Sequence, residues 1–347
     1  MNRLLYNSFK IIVKVGLFFY NKKTKVSGVE NIPKKGAILF VGNHPNGLMD
    51  PLIIASSFSR NTHFLVRAAV FKHPIVAKFF NWLGMLPIYR IRDGIQELSK
   101  NNEIFNKCEK ILRKGKAILI FPEGSHLRKR TIRPLSKGFT RIVFGIIEKY
   151  PEVKIHIIPV GITYQNPSKY PSKVAVNFGN PILANDYYNS NHINQSANSI
   201  KEKVTSQLKE LTVHINDDEN YTEIEQQLIK ANVDFTEVKK VNQMIASGNI
   251  SHKEQSTQKE LKFIKILIIA NSLIPYFLWK KASRKVSEIE FEDTFRFSLN
   301  IVFFGLFYYF QTWLVAYLFD WKVGTLYFLS SLLLVFIYTK LSPTTAG

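Results

Sequence analysis

Short apolar runs bounded by turn residues recur through the first half of the chain, at 37–41, 63–66, 117–121, 155–160 and 174–178. Runs of this length between Gly, Pro and Lys punctuation read as buried strands. Helical spacing fills 95–112 and 138–149. Strands alternating with helices predict an α/β domain whose mostly parallel sheet is flanked by helices. The runs are apolar at successive positions, as strands are when both faces of the sheet are covered.

The two ends follow other patterns. Residues 4–20 are mostly apolar but are interrupted by Lys10 and Lys14, one helical turn apart, and no small-residue cleavage site follows. The stretch is short of the roughly 20 apolar residues that a span needs. Residues 1–25 are therefore expected to form an amphipathic helix. It would lie on a bilayer with its lysines toward the headgroups, pack on the protein's own core, or do both. The α/β domain is expected over 26–184. Residues 185–260 are polar, with helical spacing over 200–211, and read as a helical extension or linker. From 261 to 347 the chain turns apolar again. Residues 263–279 carry Lys265, Asn271, Ser272 and Pro275, which suits an interfacial or re-entrant segment. Residues 299–319 hold no charge and are long enough to cross a membrane; 324–341 is a second candidate of near-minimal length. Four residues, Asp320 to Val323, separate them, so the expectation is a transmembrane hairpin.

Composition sharpens this picture. Lys and Arg number 47 against 26 Asp and Glu, a formal charge of +21, which calls for an anionic partner. Aromatics cluster among aliphatics in the last fifty residues instead of interleaving with the basic ones. No zinc-finger spacing, basic zipper or RNA-binding aromatic motif is present. The partner expected is a membrane surface and phosphorylated ligands, not nucleic acid. Lys280, Lys281, Arg284, Lys285 and Arg296 precede the first span and only Lys322 lies in the turn, so the N-terminal part is expected on the cytoplasmic face. Cys108, the single cysteine, excludes a disulfide framework and reads as structural. The histidines are scattered without ligand spacing, so neither metal nor cofactor is expected.

Candidate chemistry sits where strands end. The run 37–41 leads into Gly42, Asn43, His44, then Pro45-Asn46-Gly47, and Asp50. A His just past the end of a strand lies where open α/β sheets hold ligands. A nearby Asp can fix its tautomer and stabilise its charged form. There is no Gly-x-Ser-x-Gly elbow, so a hydroxyl acceptor would be activated directly, without an acyl-enzyme. The run 117–121 leads into Pro122-Glu123-Gly124-Ser125-His126, followed by Arg128, Lys129, Arg130, Arg133 and Lys137. These five cations suit phosphate groups; for residues 128–130 the plainer expectation is a solvated, headgroup-facing loop. A third block, 84–92, places Arg90 after an apolar run, from which it could reach a phosphate or make a surface ion pair.

In this order the blocks resemble the four motifs of the glycerolipid (lysophosphatidate and glycerol-3-phosphate) acyltransferase family. Asn43-His44 to Asp50 resembles its Asn-His-x4-Asp motif, and 84–90 its second, Arg-ending motif. Phe121 to Ser125, with Lys137-Gly138 beyond, resembles its Phe-Pro-Glu-Gly-(Ser/Thr) motif. Ile158-Pro159-Val160 resembles its fourth. The resemblance covers 26–181, about half of the chain.

It implies His44 as base and Asp50 as its orienter. Asn43, Arg90, Glu123, Gly124, Ser125 and Lys137 would contact the substrate. Glu123 would receive an acceptor hydroxyl or orient a neighbouring Arg, with the Gly124 amide facing the phosphate. Backbone amides would stabilise the oxyanion. The implied reaction moves an acyl chain from a thioester, on coenzyme A or acyl carrier protein, to the hydroxyl of 1-acyl-glycerol-3-phosphate at a membrane. One departure stands out: five residues, not four, separate His44 from Asp50. The longer spacing resembles that of relatives acylating glycerol-3-phosphate or dihydroxyacetone phosphate, which keeps these acceptors open, together with an ornithine or glycine lysolipid. From another class, an inert lipid-binding protein is the alternative.

Overall fold

The computed structural model describes residues 1–90, 94–250, 261–286 and 288–344. Ile91 and Arg92 of the Arg90 block, and residues 251–260 of the polar segment, lie outside them. Eight strands form one sheet: β1 (Lys23–Ser27), β2 (Ala37–Gly42), β3 (Thr62–Arg67), β4 (Met85–Ile88), β5 (Ala117–Ile120), β6 (Ile155–Tyr164), β7 (Lys173–Phe178) and β8 (Ile182–Leu183). Their order is β1-β7-β6-β2-β5-β3-β4, with β8 pairing to β6. The pairings are parallel except those of β6 with β7 and β8.

The central strand shows why the apolar runs are continuous. All six residues of β2 are buried. Ala37, Leu39 and Val41 face a core built with α5 (Asn101–Arg113), α6 (Gly138–Lys149) and α7 (Ile193–Leu211). Ile38 and Phe40 face the opposite core, built with α1 (Arg3–Tyr20), α2 (Met49–Ser56) and α3 (Pro74–Trp82). Successive side chains leave opposite faces, so two cores require two apolar sets. Cys108 on α5 is fully buried, and burial pushes its thiol up to about 12, which keeps it an unreactive packing residue. The short α4 (Ile95–Leu98) precedes α5.

The segment from 185 is helical and packs on the sheet. Ala197, Ile200, Val204 and Leu208 of α7 enter the first core. Val213 and Ile215 form a further cluster with α8 (Tyr221–Lys230) and α9 (Val238–Ser247). Its charged residues face outward along helices whose inner stripe is apolar, which explains the polar average.

Helix α1 buries Tyr6, Val13, Leu17 and Tyr20 and exposes Leu4, Ile11, Ile12, Val15 and Phe18. The expectation that both lysines face headgroups is corrected for Lys10, whose Nζ donates to the backbone oxygens of Phe58 (2.7 Å) and Arg60 (3.3 Å). Lys14 stays exposed, among outward residues that are mostly apolar.

The C-terminal region begins with α10 (Lys262–Asn271) and α11 (Leu273–Ser283), which meet at a 97° bend. Helix α12 (Glu292–Leu299) continues through a π-helical stretch, Asn300–Phe304, into α13 (Gly305–Leu318), and α14 (Trp321–Leu341) returns. By length and composition Ile289–Leu318 and Trp321–Leu341 can each cross a membrane. The first candidate thus begins about ten residues earlier than the uncharged stretch suggested, because helical geometry runs on through the polar residues of α12. The two helices pack closely where Gly324 meets Ala316 and the Thr312 carbonyl. Polar groups at the α10–α11 bend find partners here: Gln311 donates to the Asn271 carbonyl (3.0 Å), and Tyr327 to Asn271 Oδ1 (2.6 Å). At the end of α14, Lys340 Nζ donates to the carbonyls of Phe18 (2.7 Å) and Asn21 (2.8 Å), capping α1.

Candidate active site

Strand direction gathers the motif blocks at one sheet edge. Strands β2, β5, β3 and β4 are mutually parallel, and Val41 is level with Ile120. The segments that leave their C-terminal ends, which carry His44, Glu123 and Arg90, therefore emerge on the same side. Strand β6 is also parallel to β2, with Gly42 level with Val160, and continues past that edge to Ile162 and Tyr164.

His44 Nδ1 lies 2.7 Å from Asp50 Oδ2, with side-chain exposures of 14% and 0%. Asp50 stands in the first turn of α2, so the pair bridges a loop-to-helix junction, as an offset of six requires. Gly47, at φ +44°, turns the loop back on itself and absorbs the extra residue. Asp50 is fully engaged: the Asn46 N–H donates to Oδ2 (2.8 Å) and the Tyr164 hydroxyl to Oδ1 (2.7 Å). A carboxylate that accepts from Nδ1–H leaves Nε2 as the basic nitrogen of the imidazole. Phe121 stacks on the imidazole at 4.0 Å and 10°, and His126 meets it edge-on at 4.5 Å.

Asn43 does something the sequence did not disclose. Its side-chain amide donates to the Ile162 carbonyl (3.0 Å) and accepts from the Ile162 N–H (2.8 Å), which fastens the His44 loop to β6. Both ends of its amide thus engage backbone, which gives Asn43 a structural role in holding the loop.

In the second turn, Glu123 is 3% exposed at its side chain and accepts from Arg133 Nε (3.1 Å) and Nη2 (2.8 Å). Burial pushes its carboxyl up, against the pull of the Arg133 guanidinium. Its Oε1 is buried without a protein partner among the described residues. Arg133 Nη1 also donates to Ser125 Oγ (2.7 Å), and Arg90 Nη1 to the Gly124 carbonyl (3.2 Å). Arg90, Glu123, Gly124 and Ser125 thus form one group with Arg133 at its centre. Arg133 was one of five cations in sequence, and no spacing distinguished it. The Gly124 amide does not face an anion: its N–H donates to the Phe121 carbonyl (3.3 Å), closing the turn that its φ of +75° permits.

Lys137 precedes α6 and lies within 3.5 Å of Asn194 on α7, so its one resolved polar contact is away from this group. The loop 128–130 is not a free headgroup-facing strip. Arg130 donates to the carbonyls of Tyr164 (3.1 Å) and Gln165 (3.2 Å) and stacks on Phe235. Arg128 bonds Ser168 Oγ and the Ile289 carbonyl, and Lys129 pairs with Asp217 at 2.8 Å. Non-local carbonyls claim Arg128 and Arg130, while Lys129 stays exposed beside Asp217. Among the described residues no group of three or more His, Cys, Asp or Glu could hold a metal.

The family model named Acyltransferase matches residues 23–163. Over 136 residues the chain is 32% identical to the 1-acyl-sn-glycerol-3-phosphate acyltransferase of Borreliella burgdorferi, covering 39% of this chain and 52% of that one. Over 119 residues it is 28% identical to glycerol-3-phosphate O-acyltransferase 1 of Saccharomyces cerevisiae, covering 33% and 16%. It thus spans about half, or less, of these relatives' length. A crystal structure of the 1-acyl-sn-glycerophosphate acyltransferase from Thermotoga maritima aligns with a TM-score of 0.41 at 20% identity, covering 56% of this chain and 74% of that one. Residues 23–163, which hold the four blocks in order at one sheet edge, are the part of the chain that matches the Acyltransferase family model and is similar to these glycerolipid acyltransferases.

Proposed function

We propose that the chain is a membrane-bound O-acyltransferase that moves an acyl group from a thioester to the hydroxyl of 1-acyl-glycerol-3-phosphate. The observation that carries this reading is the His44–Asp50 contact of 2.7 Å at the sheet edge that also bears the Glu123–Arg133 turn. His44 Nε2 takes the acceptor hydroxyl proton as its oxygen attacks the thioester carbonyl carbon. The tetrahedral intermediate then expels the thiolate, which receives the proton from the imidazolium. Arg133 and Arg90 flank the turn where an acceptor phosphate would rest, and Glu123 Oε1 accepts from its glycerol hydroxyl. The thioester carrier is coenzyme A or acyl carrier protein; no cofactor takes part.

Glycerol-3-phosphate is the second reading, favoured by the six-residue offset from His44 to Asp50 and by the name of the yeast relative. The test is thioester release from acyl-coenzyme A in membranes carrying the full chain. It uses a panel of 1-acyl-glycerol-3-phosphate, glycerol-3-phosphate, dihydroxyacetone phosphate, and glycine and ornithine lysolipids. The first acceptor is expected to give the highest kcat/KM, and His44→Ala to remove at least about a hundredfold of it. If no acceptor supports His44-dependent release, the chain is an inert lipid-binding protein instead.

A cytoplasmic domain is the orientation we propose, supported by the cations at Lys280, Lys281, Arg284 and Lys285 against the single Lys322 of the hairpin turn. Trp321 is 69% exposed at that turn, and Cys108 is buried and silent to thiol reagents. A Trp321→Cys variant is therefore expected to react with a membrane-impermeant maleimide from outside intact cells. Reaction only after permeabilisation would reverse the topology.

A further inference from the structure

The family motif ends at Asp50, but the loop it belongs to is held from much farther along the chain. The crown of that loop, 46–48, packs against the residues that open the first membrane helix. A Cβ built on Gly47 would meet Thr294 Oγ1 at 2.9 Å, the Glu290 carbonyl at 3.0 Å and the Phe291 ring at 3.2 Å. The Leu48 N–H donates to Thr294 Oγ1 (3.0 Å), and Asn46 Nδ2 donates to Asp293 Oδ2 (2.9 Å). Asn46 is fully buried, and its own N–H is the group that holds Asp50 Oδ2. Two hydrogen bonds through one residue therefore link Asp293 to the carboxylate that orients His44.

Asp293 is only 4% exposed, and its other oxygen accepts from the Tyr20 hydroxyl of α1 and from Arg296 Nη1 at 3.4 Å. A second route runs through rings: Phe291 meets His126 at 4.8 Å, and His126 meets His44 at 4.5 Å. These contacts gather where the loop carries its one extra residue between His44 and Asp50. Six residues of offset give the loop freedom that a shorter connection would lack, and something must remove it if the pair is to stay aligned.

We propose that Asp293, with Thr294, is a positioning residue: it fixes the lengthened His44–Asp50 loop through Asn46 and so ties the alignment of the pair to the docked membrane hairpin. This rests on the acyltransferase reading for its kinetic consequence but not for its structural one. Asp293 touches no reacting atom. Its effect belongs in kcat, because a base displaced by about 1 Å can cost about a hundredfold in rate while binding persists.

The experiment uses the purified full chain in lipid nanodiscs and compares wild type with Asp293→Ala, Asp293→Asn and Thr294→Val. Two quantities are read: kcat and KM for thioester release, and the low-field proton resonance of the His44 Nδ1–H held by Asp50, assigned by its loss in His44→Ala. Asp293→Ala is expected to lower kcat by about a hundredfold with KM changed less than about threefold, and to broaden or abolish the resonance. Asp293→Asn, which keeps an acceptor for Asn46, restores the resonance and at least a tenth of wild-type kcat. Thr294→Val keeps shape, removes the acceptor of the Leu48 N–H, and lowers kcat by about tenfold. If Asp293→Ala fails to fold, Thr294→Val decides the matter alone. Unchanged kcat and an unchanged resonance in either folded variant overturn the proposal. Wild-type protein that shows the resonance but turns over no acceptor overturns the enzymatic reading, and the resonance in the variants still decides the positioning role.

Discussion

Replacing Asp50 with alanine is expected to lower kcat for thioester turnover by about a thousandfold, and replacing it with asparagine by about a hundredfold. The gap between the two follows from what surrounds the carboxylate. Alanine leaves the Tyr164 hydroxyl and the Asn46 N–H facing an empty, fully buried space and lets the imidazole rotate. Asparagine has the same shape, and the Asn46 N–H selects its oxygen, not its amide nitrogen, for the Oδ2 position. Its NH2 then faces the Tyr164 hydroxyl, which can turn to accept. His44 keeps its tautomer in that variant but loses the negative charge that stabilises the imidazolium formed as the acceptor proton arrives. Tyr164→Phe, which removes one donor from Asp50 Oδ1, is expected to fall nearer tenfold. Single-turnover release at saturating acceptor gives the ranking. Undiminished turnover in Asp50→Ala would remove Asp50 from the mechanism, and equal losses in Ala and Asn would make charge, not geometry, its whole contribution.

That ranking depends on a neighbourhood only partly legible in the sequence. Strands β2, β5 and β6 were readable because their burial on both faces leaves an uninterrupted apolar string, and the polar turns that follow them mark the functional edge. His44, Asp50 and Glu123 could be placed from that pattern together with the motif order. The partners that hold them could not. Tyr164 reaches Asp50 from the far end of a long strand, and Asn43 spends its amide on Ile162 across 119 positions. Arg133 meets Glu123 only because the intervening loop folds back, and Asp293 meets Asn46 from the start of the first long apolar C-terminal helix. Each is a contact between elements distant in sequence, and local periodicity carries no term for such contacts. Of Arg128 to Arg130, read as a solvated strip, only Lys129 is exposed, since the carbonyls that take up Arg128 and Arg130 come from β6, the loop after it and Ile289. The helical spacing over 200–211 showed an apolar stripe on α7, but not that it packs against the sheet.

The Glu123–Arg133 pair gives the largest stability effect expected in the site. Arg133→Ala leaves a carboxyl of 3% side-chain exposure without its cation, and the cost is about 2–4 kcal/mol, toward the lower end because Arg133 itself is 23% exposed. Burial already raises the Glu123 carboxyl above its ordinary value, and without the guanidinium it rises further. The folded variant then binds a proton that the unfolded chain has released, so stability falls as pH rises from the unfolded carboxylate value through the raised folded one. The variant is therefore expected to melt closer to wild type at pH 5 than at pH 8. Pairing Arg133→Ala with Glu123→Gln removes the stranded charge and is expected to recover most of the loss at pH 8, while acceptor KM stays raised because the phosphate has lost a partner. Arg133→Lys should not rescue, since an ammonium cannot meet the two Glu123 contacts and Ser125 Oγ in one planar fork. Thermal unfolding of the purified chain at the two pH values checks this. A pH-independent loss in Arg133→Ala would mean that the lost packing, and not the buried carboxylate, sets the cost.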